Sequence, residues 1–164
     1  MLHVILLAAG EGKRMRSRHP KVLQPVGGRA MLLHLLDAVA TLQPTQTHVV
    51  VGQGAEQIKA QCGNFAGAWV HQDQRLGTGH ATLQALPDIP NEAQVLVLPG
   101  DMPLVRPETL GRLVQSRADL AVLSFVADDP TGYGRILRDD HDQVTAIVEQ
   151  ADASVDEAQV REVN

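Results

Sequence analysis

The run HVILLA (residues 3–8) constrains what this chain can fold into more than any other stretch. It is apolar on both faces and too short for a helix, so it reads as a strand buried on both sides. Such a strand needs cover above and below, and the chain supplies it by alternation. A helical run from Ala30 to Leu42 is followed by strand THVVV (47–51), a helical segment from Gly54 to Gln61 and strand AWVHQ (68–72). HATLQAL (80–86) then begins a helix after Gly77-Thr78-Gly79. QVLVLPGD (94–101) is a fourth strand, VRPETLGRLVQS (105–116) a helix with Pro in its first turn, and DLAVLSFVA (119–127) a fifth strand. GRILR (134–138) and QVTAIVEQ (143–150) close the series as shorter strands. The alternation predicts an α/β fold: a Rossmann-like, mostly parallel sheet with right-handed crossovers and helices on both faces. Ligands of open sheets like this sit beyond the carboxyl ends of the strands. Residues 10–21, 72–80 and 99–101 should therefore converge.

The first of these stretches has the composition of a phosphate site. Gly10, Gly12 and Arg14 follow the first strand, and Pro20-Lys21 comes next. Glycines let backbone N–H groups turn toward phosphate oxygens, and the cations neutralise charge. Two familiar schemes do not fit. The dinucleotide fingerprint needs a small residue where Met15 stands, and an acid near Arg29. The Walker pattern needs glycine at Leu7 and Ser or Thr at Arg14.

Composition narrows the ligand. At 164 residues and 44% hydrophobic content, one well-cored domain is expected. The net charge of −5 argues against general binding to nucleic acid or anionic membrane, and an aromatic content of 2% removes base-stacking platforms. The basic cluster Lys13, Arg14, Arg16, Arg18 and Lys21 is thus aimed at a small anion. Cys62 stands alone, which excludes an internal disulfide or a cysteine metal site. No signal peptide or membrane-length apolar run is present, so a cytoplasmic location is expected.

After strand four, Pro99-Gly100-Asp101 places a carboxylate at a buried strand's end. There it can hold a hard cation against phosphates, although capping the next helix is an alternative use. After strand three, Gln72 offers an amide suited to a base edge, and Gly77-Thr78 opens a helix, with Thr78 as candidate N-cap. His34, His48, His71 and His80 lack metal-ligand spacing and read as structural. No arrangement for covalent catalysis stands out.

Six ordered blocks now carry a resemblance covering residues 2–164: LLAAGEGKRM…PKVLQPVGGRAML, HQDQRLGTGHA, PGDMPL, DDPTGYGRI, IVEQADA and the terminal EVN. They resemble the sugar-phosphate nucleotidyltransferases, and among these the bacterial N-acetylglucosamine-1-phosphate uridyltransferases. The opening loop is shared with molybdenum-cofactor guanylyl- and cytidylyltransferases, whereas the GTGHA and TGYGRI blocks separate the two. The resemblance implies the nucleotide-diphospho-sugar transferase type of fold and Mg²⁺ dependence. It implies UTP and N-acetylglucosamine 1-phosphate as substrates and UDP-N-acetylglucosamine, a cell-wall and lipopolysaccharide precursor, as product. It also implies roles. Leu7, Ala8, Ala9 and Gly10 line the uridine and phosphate site, and Arg14 and Lys21 bind the triphosphate. Gln72, Gly77 and Thr78 contact uracil. Pro99, Gly100 and Asp101 meet the nucleotide sugar, with Asp101 on the metal, and Gly134, Glu149 and Asn164 hold the N-acetylglucosamine. Lys13 stands where Thr is frequent, and Pro99 where a larger residue is common.

The same resemblance implies that residues 1–164 are the first part of a longer nucleotidyltransferase domain. A second metal ligand (an Asn) would lie beyond residue 164, as would an acetyltransferase β-helix through which the parent protein forms a homotrimer. The expected reaction is in-line transfer with the sugar phosphate as nucleophile, which needs no protein base. A nucleotide-binding module without turnover is the rival reading.

Overall fold

The computed structural model describes residues 1–10, 12, 17 and 19–164. The chain forms two compact units, Met1–Gln115 and Ser116–Asn164.

The first unit is built on β1 (Leu2–Leu7), the strand that the apolar run foretells. Around it lie β4 (Gln46–Val51), β5 (Ala68–His71) and β6 (Gln94–Pro99), all parallel, in the order β5-β4-β1-β6. Between β1 and β4 a two-strand hairpin, β2 (Pro25–Val26) and β3 (Arg29–Ala30), turns on Gly27 and Gly28 at φ 58° and 82°. Both values belong to the type I′ geometry that glycine adopts without strain. The chain then enters α1 (Met31–Ala40), and α2 (Ala55–Cys62), α3 (Thr78–Ala85) and α4 (Pro107–Gln115) follow the later strands.

Residues alternate across β1 and feed two cores. Val4 and Leu6 pack with Leu32, Leu35, Ile58 and Leu110, which come from α1, α2 and α4. Ile5 faces the other way, with Val50, Val70 and Ala81 and Ala85 of α3. Helices thus cover both faces, as a strand apolar on both sides requires. Among the described residues no helix is long and apolar enough to cross a membrane.

The second unit is antiparallel. Its strands are β7 (Phe125–Val126), β8 (Arg135–Arg138), β9 (Val144–Val148) and β10 (Glu162–Val163), in the order β7-β10-β8-β9. The expected fifth strand, 119–127, is therefore corrected. Only Phe125–Val126 is strand, and it pairs antiparallel with β10 rather than joining the parallel sheet. Leu120 is 79% exposed, so apolar composition there did not find a partner strand to bury it.

Two arginines organise this small unit. Arg135 is buried and donates to the carbonyls of Tyr133 and Ala158 and to Gln150 Oε1 at 2.8 Å. Its partners are neutral acceptors from three separate turns, so the side chain gathers loops. Arg138 grips Glu162 with a fork of two bonds, at 2.7 and 2.8 Å, and the Ser124 hydroxyl donates to the same carboxylate at 2.6 Å. These bonds, Arg138 first, hold Glu162 well below the ordinary glutamate value, at about 2. Because the folded value is the depressed one, the stabilisation is present above the ordinary glutamate range and fades as pH falls toward 2. Glu162→Gln should therefore speed hydrogen exchange at the Ala127 and Val163 amides at pH 7. The gap from the wild type should close as both are acidified through that range. A gap independent of pH would show that the pair does not hold β10.

Candidate active site

Parallel pairing puts the carboxyl ends of β1, β4, β5 and β6 on one edge of the first unit's sheet. Single backbone bonds extend the ladder past the strands and fix the exits. Ala8 N–H donates to Val50 O at 2.8 Å, Gln72 N–H to Val51 O at 2.8 Å, and Gly100 N–H to Leu7 O at 2.9 Å. Described residues of all three expected stretches converge here. A cleft of about 670 Å³ is lined by Leu7, Ala9, Gly10 and Gly12, by Lys21, by Gln72, Gly77 and Thr78, and by Pro99 and Asp101.

Lys21 opens a 3-10 turn behind Pro20, and its Nζ donates to Asp101 Oδ2. The two side chains are 40% and 30% exposed, so the pair lies at the cleft's wet margin. Two glycines let it form. A Cβ on Gly12, at φ +60°, would lie 2.7 Å from Lys21 Cβ, and one on Gly100 would lie 2.8 Å from Leu7 O. Asp101 does not cap α4, which begins at Pro107. Among the described residues it is the only carboxylate in the cleft lining, and no group of three His, Cys, Asp or Glu suited to a metal occurs among them. One carboxylate fits a hard ion that keeps most of its shell for water and phosphate oxygens, not a protein-caged metal.

Gln72 is buried at 4% exposure, and its amide nitrogen donates to Gly77 O at 3.2 Å and to His80 Nδ1 at 2.9 Å. Thr78 is the first residue of α3 and not its cap. Gly77 holds the cap position, and no side chain caps that end. The exposed Thr78 side chain and the first N–H groups of α3 are thus available to a ligand. Sequence reasoning missed two residues here. His80, read only as structural, holds the amide of Gln72. Arg75 lines the cleft and donates to Gln53 Oε1 at 2.7 Å, and its place between Gln72 and Gly77 was the available signal.

The remaining candidates divide as follows. The Ala8 methyl lies in the core, and Gly100 is buried, so either can meet a ligand only through backbone. Arg14 lies outside the described residues, with Lys13, Arg16 and Arg18 of the same basic cluster. In the second unit, Asn164 N–H donates to Gly134 O at 3.2 Å, and a Cβ on Gly134 would come within 2.5 Å of Asn164 Oδ1. Glu149 follows directly after Val148, the partner of Arg135, so all three candidate sugar contacts share one end of that sheet. His34 Nε2 meets Val26 O at 2.8 Å, and His48 Nε2 meets His3 Nδ1 at 3.0 Å in the core. Burial, then the neighbouring His3, lowers the pKa of His48. A second cavity of about 690 Å³ opens at the start of β4, between Arg29, Asp37, Thr47 and Phe65, and holds none of the candidates.

A family model, the MobA-like NTP transferase domain, matches residues 4–159. The bifunctional protein GlmU of Stenotrophomonas maltophilia (strain K279a) is 54% identical over 167 residues, covering 99% of this chain and 36% of that protein. The chain thus spans about a third of the length of the curated relatives it matches. A crystal structure from Bacillus anthracis, described as a glucose-1-phosphate thymidylyltransferase in complex with sucrose, superposes with TM-score 0.78 at 19% identity. That match covers 99% of this chain and 68% of the other. Rv0371c of Mycobacterium tuberculosis, crystallised with manganese, gives 0.58 at 24% identity over 69% of this chain and 57% of its own. The expected α/β nucleotidyltransferase fold and the resemblance read from the six blocks are borne out.

The tight seat of Gly100 gives a direct test. Gly100→Ala should push the end of β6 from Leu7 and carry Asp101 off Lys21. Nucleotide affinity should fall about tenfold or more, while overpacking lowers stability by roughly 1–3 kcal/mol. Titration calorimetry beside a thermal melt measures both, and an unchanged affinity would show that this backbone approach does not set the site.

Proposed function

The chain belongs to the MobA-like NTP transferase domain family, and on that premise we propose that its edge cleft transfers UMP from UTP to N-acetylglucosamine 1-phosphate. The products are UDP-N-acetylglucosamine and pyrophosphate. The observation that carries the reading is the Lys21–Asp101 pair at one side of a cleft whose other wall is Gln72, Gly77 and Thr78. One side suits a polyphosphate and the other a base edge, and the glycines between them leave room for the α-phosphate.

An oxygen of the sugar phosphate attacks the α-phosphorus as the bond to the bridging oxygen breaks, and the electron pair leaves with pyrophosphate. The nucleophile is already an anion at neutral pH, so no side chain need accept a proton. The protein's work is alignment and charge neutralisation. Lys21 sits where it can follow the charge that builds on the departing phosphates. Asp101 would hold a Mg²⁺, which would supply charge neutralisation for the phosphates. The first N–H groups of α3 and the Thr78 hydroxyl suit the carbonyls of the base. Gly134, Glu149 and Asn164 are assigned to the sugar on the resemblance of their blocks.

Pyrophosphate release on mixing the protein with UTP, Mg²⁺ and N-acetylglucosamine 1-phosphate tests the reading. Lys21→Ala should cut the rate by about 100-fold or more. The melting temperature should barely move, since a half-exposed ion pair contributes about 0–1 kcal/mol. Binding of UTP with no pyrophosphate released would make the chain a nucleotide-binding module instead.

A further inference from the structure

We propose that His80 is a positioning residue that locks the amide of Gln72, so that the cleft offers the base a hydrogen-bond acceptor and selects a nucleotide that donates there. The inference rests on the nucleotide reading above and adds to it the residue that sets base choice. The Gln72 backbone is tied to Val51 O at 2.8 Å, and its side chain runs beneath the start of α3 with 4% of the residue exposed. Gly77 O, at 3.2 Å from Nε2, can only accept. That carbonyl fixes which end of the amide faces it, because the reversed amide would set oxygen against oxygen.

The second amide hydrogen then points to His80 Nδ1 at 2.9 Å. That nitrogen is then the acceptor of the pair. Gln84, one turn along α3, donates its amide to His80 O at 3.3 Å, which ties the same residue to the helix through its backbone. Both Gln72 hydrogens are therefore consumed inside the protein. Its amide oxygen has no partner among the described residues and is not among the enclosed unpaired atoms, so it is the atom left for a ligand. The sequence-based expectation that Gln72 offers a base both donor and acceptor reduces to the acceptor alone.

An acceptor pairs with a ring N–H, as in uracil, and opposes the bare ring nitrogen of cytosine. A mismatched edge leaves buried polar groups unpaired, which is where discrimination arises. Without His80, the amide hydrogen that its ring accepts is released toward the cleft while Gly77 O keeps the other, so the amide can also donate to the ring nitrogen of cytosine.

The test compares UTP and CTP binding by calorimetry, with Mg²⁺, for the wild type, His80→Leu and His80→Asn. Asn keeps an acceptor oxygen close to the position of Nδ1, whereas Leu keeps bulk without an acceptor. The wild type should prefer UTP, His80→Leu should shrink the ratio about tenfold, and His80→Asn should restore it to within about threefold. A ratio unchanged in His80→Leu, equal loss in both variants, or a wild-type preference for CTP would overturn the proposal while leaving nucleotide binding intact. A wild type that binds neither nucleotide would overturn the proposal together with the reading beneath it.

Discussion

The pairing of β1 between β4 and β6 is the constraint on which the first unit depends. Because β1 is parallel to both, its residues are buried on both faces, and every neighbouring strand must leave the sheet at the same edge. Side chains up to 80 positions apart, such as Lys21 and Asp101, thereby meet without any long loop having to find its place. The core at 4–6 runs directly into the cleft-lining Leu7, Ala9 and Gly10, so whatever holds the strand also places these residues at the edge.

The energetic roles of core and edge are distinct. Burying aliphatic side chains such as Ile5, Leu35 and Ile58 contributes roughly 1.5–3 kcal/mol each. The edge holds Lys21 and Asp101, which screen each other in partial contact with water and add little to stability. A pair of this kind can exchange its partners for phosphate and metal at low cost, because the fold does not rest on it. The amide of Gln72 is the opposite case. Its nitrogen is buried and bonded to Gly77 O and His80, and reversing the amide would set its oxygen against the Gly77 carbonyl.

The parallel sheet was legible in the sequence because a short run apolar on both faces must be covered on both, and the alternating helices supply that cover. The convergence of Lys21, Gln72 and Asp101 was legible because strand order fixes which ends share an edge. The stretch 119–127 was not, since its strand character depends on Glu162 and Val163, some forty residues on, and its apolar residues give no sign of that pairing. Arg135 runs against expectation for a charged residue, being buried among neutral acceptors that only the folded turns bring together. The role of His80 was hidden for a related reason. Its ring reaches Gln72 only because the loop at 73–77 folds back and opens α3 at Thr78.

A crystal structure of the protein with UTP and Mg²⁺ would show whether the carboxyl edge of the parallel sheet is a nucleotide site. The triphosphate should lie between Gly10, Gly12 and Lys21, the metal on Asp101, and the base against the Gln72 oxygen. UTP seated in the cavity between Arg29, Asp37 and Phe65, with Lys21 still bound to Asp101, would contradict this placement.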